Sequence, residues 1–290
     1  MGEFERIADI TQRLHQQANV LIGPGDDAAS LRTPHSAVLA STDILVEGVH
    51  FKRAWTTPYA LGRRAAAQNF SDINAMGCTA TAILVAVAAP QHVANDWYLE
   101  LARGLQAECD LVGASVIGGD LSRGDAIVIS VTVLGDPEGA PVTRAGAQHG
   151  DVVAVAGRLG WSAMGWLSLV RGIDVGAQML DAYRTPEPPY AAGPAARIAG
   201  ASSMIDVSDG LLADAAHIAD ASHVTLLLET ALLTPDPEVS AAANGLGVEA
   251  LTAVLTGGED HALLATFPPG AAIPAAFRPI GKVATRGETG

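Results

Sequence analysis

Acidic and hydroxyl side chains recur in this chain where apolar runs stop and turns begin. They are Asp26 or Asp27 in Gly23-Pro24-Gly25-Asp26-Asp27, then Ser41-Thr42-Asp43, Asp72, Asp120, Asp206 and Asp209. At least five carboxylates meeting in one place would repel each other unless cations lay between them. Hard oxygen donors of this kind suit Mg²⁺. Several Mg²⁺ with few bases is a layout for phosphoryl transfer, in which positioning and charge neutralisation do most of the catalysis. Each residue also has a plainer reading. Ser41 and Asp43 can cap a turn, and two adjacent acids in a Gly-rich turn are often a solvated loop, with only one of Asp26 and Asp27 able to face a given site. Ser208 or Asp209 can be an N-cap, which explains one of them but not both flanking acids.

The elements that must position these residues are legible as periodicity. Residues 37–40 read as a buried strand that ends in Ser41-Thr42-Asp43, and in α/β proteins chemistry gathers at strand ends. A helix starts at Thr57-Pro58 and stops at Gly77. Leu61, Ala65, Asn69, Asp72 and Met76 share one of its faces. Asp72 on that small apolar face needs a partner, either a cation or a helix terminus. Strands are expected at 81–88, at 115–117 ending in Gly118-Gly119-Asp120, and at 126–135, whose alternation points to one buried face. A helix is expected over 96–111 and an amphipathic one over 3–19.

Residues 136–150, rich in Gly and Pro, mark a boundary between domains 1–140 and 141–290. The second half restarts with a strand at 151–156 and a helix at 161–171, then a short helix near 195–199. The strand leading to Asp206-Val207-Ser208-Asp209-Gly210 opens into a helix at 211–221, an arrangement suited to a metal or phosphate. Strands follow at 224–229, 261–267 and 277–284, with a helix at 248–256.

Composition narrows the function classes. The formal net charge is −14, from 31 acids against 17 bases. Such a surface repels nucleic acid, and there is no basic stripe. It holds a nucleoside triphosphate best through bridging cations, since ATP itself carries about four negative charges. No apolar run reaches the roughly 18 residues of a membrane span, and the N-terminus lacks the pattern of a signal peptide. Cys78 and Cys109 form no CxxC and no framework. A cytoplasmic protein without membrane or nucleic-acid partners is the expectation. There is no Walker A, no GxGxxG opening a helix, no GxSxG and no HExxH.

Seven motifs appear in order: Gly25-Asp26-Asp27-Ala28; Ser41-Thr42-Asp43 with Glu47-Gly48-Val49-His50-Phe51; Asn69-Phe70-Ser71-Asp72 with Ala75-Met76-Gly77; Gly118-Gly119-Asp120; Thr143-Arg144; Asp206-Val207-Ser208-Asp209-Gly210; and Gly257-Gly258-Glu259-Asp260. Each alone is weak, but together, from the N-terminus to about residue 265, they closely resemble the thiamine-monophosphate kinase family. That family is a branch of the aminoimidazole-ribonucleotide synthetase superfamily of ATP-using enzymes.

The resemblance implies two α/β domains (α+β type), the N-terminal one pairing across a homodimer into a β-barrel and the C-terminal one a mixed α/β domain. It implies direct in-line transfer of the ATP γ-phosphate to thiamine monophosphate. On it, Asp27, Ser41, Thr42, Asp43, Asp72, Asp120, Asp206 and Asp209 hold Mg²⁺, with Asp43, Asp72, Asp120 and Asp206 central to catalysis. Gly119, Asp120, Arg144 and Ser208 contact ATP, and His50 and Glu259 contact the thiamine phosphate. From residue types alone His50 reads as a structural histidine, while Glu259 makes sense as a counter-charge to a thiazolium. Family members continue past the end of this sequence with a segment whose aromatic packs on the substrate. Competing readings are a superfamily relative with another acceptor, such as a ribonucleotide amide, selenide or carbamoyl group, and a non-enzymatic Mg²⁺ or nucleotide binder.

Overall fold

A computed structural model describes residues 9–23, 29–35 and 37–287. The chain forms two compact units. The first comprises residues 1–73 and 79–139, the second residues 74–78 and 140–290. Asp26 and Asp27 lie outside the described residues, as do residues 3–8 of the helix expected over 3–19. Of that helix residues 9–11 are helical, and 12–19 are turn or irregular.

In the first unit a short ribbon, β1 (Val20–Ile22) with β2 (Ser30–Leu31), precedes a four-stranded sheet. The sheet contains β3 (Leu39–Val46), β4 (Thr79–Ala89), β5 (Ser115–Arg123) and β6 (Val128–Asp136), in the order β3-β6-β4-β5. Only β4 and β5 run parallel. The alternation of β6 has the expected consequence: Ile129, Val131 and Val133 are buried, while Ser130, Thr132 and Leu134 are half-buried on the other face. The unit's helices are α1 (Pro58–Ala75) and α2 (Asn95–Val112). Thr57 caps α1 as its position predicts, accepting from Ala60 N–H through Oγ1 at 3.1 Å. The two helices approach at Gly62 and Gly104. A Cβ on Gly104 would stand 2.0 Å from the Tyr59 carbonyl oxygen, so only glycine permits the contact.

One expectation fails here. Ser41-Thr42-Asp43 does not end a strand, because β3 pairs with β6 in unbroken register from Leu39↔Gly135 to Val46↔Val128. Asp120 likewise lies inside β5, opposite Ala86 of β4. Strand length follows the partner's ladder, which local composition does not reveal.

The second unit is built on a five-stranded antiparallel sheet. Its strands are β7 (Val152–Ala156), β8 (Ser203–Val207), β9 (Val224–Leu228), β10 (Ala262–Phe267) and β11 (Phe277–Thr285), in the order β8-β10-β7-β11-β9. Its helices are α3 (Trp161–Arg171), α4 (Ala177–Arg184), α5 (Ala192–Ile198), α6 (Leu211–Ser222), α7 (Pro237–Leu246) and α8 (Ala250–Thr256). The central strands are buried on both faces. Val153, Val155, Ile205 and Val207 pack with Leu211, Ala215 and Ile218 of α6. Ala154, Ala156, Met204 and Phe267 face the opposite way, onto Ala192 and Ala196 of α5. This explains why these strands read as continuous apolar runs rather than alternating ones. No single described helix is long and apolar enough to cross a membrane.

Candidate active site

In the first unit the pleat of β3 sorts its polar residues. Ser41, Asp43 and Leu45 point to one face, and Thr42 and Ile44 to the other. Ser41 Oγ donates to Asp72 Oδ2 at 2.6 Å, joining β3 to α1. Asn69, fully buried one turn before Asp72, accepts from Asp43 N–H at 3.2 Å and donates through Nδ2 to the Ala65 carbonyl at 2.9 Å. The half-buried Ser41, Asp43 and Asp72 therefore form one oxygen-rich group held against a rigid helix. Hard oxygens with partial solvent access fit Mg²⁺, which keeps several of its waters when bound.

Thr42 and Asp120 are placed differently. Thr42 Oγ1 donates to the Val131 carbonyl at 2.9 Å and accepts from Thr132 Oγ1 at 3.2 Å, on the outer face of the sheet. Asp120 is exposed, and its Oδ2 accepts from Ser122 Oγ at 3.0 Å. β3 and β5 are opposite edges, three strand spacings or about 14 Å apart. Within the sheet, Asp120 is thus not brought to the Ser41–Asp43–Asp72 group. Gly119 and Asp120 instead line a cavity of about 980 Å³, together with Leu84, Ala86, Ser130 and Thr132. His50 sits in the turn after β3, where Nδ1 accepts from Val46 N–H at 3.0 Å. That contact places the proton of the neutral ring on Nε2.

In the second unit the two acidic motifs are turns packed against each other. Glu259 N–H donates to the Ser208 carbonyl at 2.8 Å, and His261 N–H to the Val207 carbonyl at 3.0 Å. A Cβ on Gly258 would stand 2.5 Å from the Ser208 oxygen, which makes glycine obligatory there. Glu259 and His261 both have left-handed backbone, at φ +65° and +52°. Asp206, in the wholly buried β8, contacts His261. Asp209 is exposed and Ser208 half-buried in the turn that follows. Arg144 is exposed, its carbonyl accepting from Ser222 Oγ at 3.0 Å.

Two supporting carboxylates escaped the sequence reading. Asp214 Oδ2 accepts from the N–H groups of Asp209 (3.0 Å) and Gly210 (3.1 Å), replacing the side-chain cap that Gly210 lacks. Burial pushes its carboxyl above the usual range, the two N–H groups pull it down, and the charges of Asp206 and Asp209 add to the rise. Asp260 accepts from Gly160 N–H (2.5 Å) and Ser162 N–H (2.8 Å) at the start of α3. Burial lifts its carboxyl to about 7 despite those donors. The available signals were an acid four residues past Gly210, and the rule that adjacent acids such as Glu259 and Asp260 point apart. Among the described residues, no three His, Cys, Asp or Glu side chains group closely enough to hold a metal by themselves.

Residues 25–136 match the family described as AIR synthase related protein, N-terminal domain. A thiamine-monophosphate kinase from Mycobacterium tuberculosis is 45% identical over 285 residues, 98% of this chain and 85% of the relative. The crystal structure of thiamine monophosphate kinase from Aquifex aeolicus aligns with a TM-score of 0.81 at 30% identity, covering 86% of each chain. A structure of AaThiL complexed with AMPPCP and TMP also aligns at 0.81, with 28% identity over 99% of this chain and 92% of that one.

Proposed function

The chain belongs to the thiamine-monophosphate kinase family, and from that membership we propose that it transfers the γ-phosphate of ATP to thiamine monophosphate, directly and in line, to give thiamine diphosphate and ADP. The observation that carries the reading is the Ser41–Asp72 pair with Asp43 on the same strand face, a ready set of hard oxygen donors. A relative that holds AMPPCP and TMP adds support for the two substrates.

Ser41, Asp43, Asp72 and Asp120 of the first unit, and Asp206 and Asp209 of the second, are the proposed Mg²⁺ ligands, with Asp27; Thr42, whose hydroxyl bonds on the other face of β3, is left out of the set. Bound Mg²⁺ would neutralise phosphate charge in the acidic site and polarise the transferred phosphoryl group. The protein's own part is positioning. Asn69 fixes the β3 backbone at Asp43, and the Ser41–Asp72 contact fixes the carboxylate of α1. Gly119, Asp120, Arg144 and Ser208 are the proposed ATP contacts. His50 would present Nε2–H to the acceptor phosphate, and Glu259 would balance the thiazolium charge. No general base is required, because the attacking phosphate oxygen is already ionised.

Residues 1–140 are the proposed ATP, Mg²⁺ and dimerisation domain, and 141–290 the C-terminal domain. The outer sheet face of the first unit exposes Ile44 (49%) and Leu84 (38%) beside Thr42, an apolar surface suited to a second copy closing a barrel. The proposed setting is the cytoplasm. The test is a direct assay with ATP and thiamine monophosphate, with and without Mg²⁺. Thiamine diphosphate is expected only with the metal. Its absence at saturating ATP, thiamine monophosphate and Mg²⁺ rules the reading out.

A further inference from the structure

Two carboxylates of the second unit meet one imidazole. His261 is 4% exposed, and its Nδ1 lies 3.2 Å from Oδ2 of Asp206, which is 6% exposed. Its Nε2 lies 4.0 Å from Oε2 of Glu259. An ionised carboxylate only accepts, so Nδ1–H is the donor to Asp206.

The backbone makes this contact specific. His261 has φ +52°, a conformation that costs an ordinary residue about 1–2 kcal/mol. Glu259, two residues earlier, has φ +65°. Strain of this kind persists only where the surroundings over-determine it. Here the Val207 carbonyl takes His261 N–H and the Ser208 carbonyl takes Glu259 N–H, so both strained residues are tied to the end of β8, the strand that carries Asp206, and the turn after it. A histidine serving only as core filler would need neither the left-handed backbone nor a carboxylate on each side of its ring.

We propose that His261 is a positioning residue of the phosphoryl-transfer site: it fixes the Asp206 carboxylate through Nδ1–H and holds it in register with Glu259. The inference rests on the roles assigned above to Asp206 and Glu259. A hydrogen-bond donor that orients a ligating carboxylate tunes metal affinity by roughly 10–100-fold.

Two variants separate this from a packing role. Asn tolerates left-handed backbone and keeps a donor near the Nδ1 position, so His261→Asn retains the contact to Asp206. Gly tolerates the backbone and has no donor, so His261→Gly removes it. Mn²⁺ standing in for Mg²⁺ is titrated by electron paramagnetic resonance in the full-length protein with a non-hydrolysable ATP analogue, and the half-saturating Mg²⁺ for turnover is measured alongside. His261→Gly is expected to weaken Mn²⁺ binding and raise half-saturating Mg²⁺ about 10–100-fold, while His261→Asn stays near wild type. Should His261→Gly fail to fold, His261→Ala carries the same expectation. Equal metal affinity in all forms overturns the proposal, as does equal weakening in the Asn and Gly variants. If the wild type binds Mn²⁺ but makes no thiamine diphosphate, the kinase reading fails and the Mn²⁺ comparison still decides on His261. If the wild type makes thiamine diphosphate but all forms show the same Mn²⁺ binding, His261 alone is dismissed.

Discussion

The two units present acidic groups in opposite ways. In the first, Ser41, Asp43 and Asp72 stand on the middle of a strand and the face of a helix. The regular alternation of β3 and one side-chain contact of 2.6 Å fix their directions. In the second, Asp209 and Glu259 stand on turns, and Asp206 on the strand that feeds one of them. Backbone hydrogen bonds and glycines that admit no Cβ hold those turns together. A site carried by regular elements is vulnerable in its side chains, whereas one carried by packed turns is vulnerable in its backbone. Side-chain charge swaps should therefore hurt the first unit's function without hurting its fold, and backbone changes should hurt the second unit's in both respects.

The largest effect is expected at Asp43. Asp43→Asn keeps shape and leaves the backbone N–H to Asn69 in place, yet removes the charge that holds a cation. Turnover should fall by at least about 100-fold with an unchanged melting temperature. Wild-type turnover in this variant would take Asp43 out of the metal set.

Next comes Gly258→Ala. The new Cβ would meet the Ser208 oxygen at 2.5 Å, and a backbone oxygen cannot step aside as a side-chain tip can. Separation of the two turns should destabilise the protein by about 1–3 kcal/mol and displace Glu259, lowering kcat/KM for the acceptor about 100-fold. Gly118→Ala is the matched change in the first unit. There the nearest atom is Cδ2 of the flexible Leu84 side chain at 3.1 Å, so stability should move by less than about 1 kcal/mol. Similar unfolding curves for the two variants would dissolve the contrast between the units.

The same contrast explains what was legible in the sequence. The helix over Asp72 and the strand leading to Asp206 announce themselves by period and caps, and α3 falls on the expected residues, Trp161–Arg171. The true extents of β3 and β5 do not, because they are set by ladders with β6 and β4, more than 30 residues away in sequence in each case. For that reason Ser41-Thr42-Asp43 and Asp120 read as strand ends when they lie inside strands, and Thr42 turns out to face away from its neighbours. The backbone pairing of Ser208 with Glu259, and the caps that Asp214 and Asp260 provide, join residues far apart or hidden beside more conspicuous acids. Helices α4 and α7 were not expected at all. Both lie in stretches punctuated by Gly and Pro, and both are stabilised by packing of Met179, Ala182, Val239 and Leu246 into one shared cluster rather than by a clean polar and apolar stripe.

Asp260 gives a pH signature belonging to the second unit alone. Its folded carboxyl titrates at about 7 because of burial, against an unfolded value near 3.9. A raised carboxyl means the folded state binds the proton more tightly, so this group's contribution to stability is present below pH ~4 and is lost as the pH climbs to about 7. Asp260→Asn cannot titrate. The melting temperature of the wild type minus that of the variant should therefore fall by a few °C between pH 4 and 7 and stay level above it. A difference independent of pH would place the carboxyl in an ordinary environment.

The smallest effect is expected at Thr42, the residue of the Ser41-Thr42-Asp43 triplet that points to the outer face. Thr42→Val keeps the β-branched shape and the strand preference while deleting one hydroxyl that bonds to Val131 and Thr132. Since the exposed side chain is free to yield its bonds to water, stability should drop by about 0.5 kcal/mol. If the oxygen-rich group of the first unit is set by strand alternation, the hydroxyl contributes nothing to the face that carries Asp43, and half-saturating Mg²⁺ should match the wild type while Ser41→Ala raises it. A Thr42→Val defect as large as that of Ser41→Ala would mean that both faces of β3 serve the metal, and the rule that side chains alone decide the first unit's chemistry would have to include the outer face of the sheet.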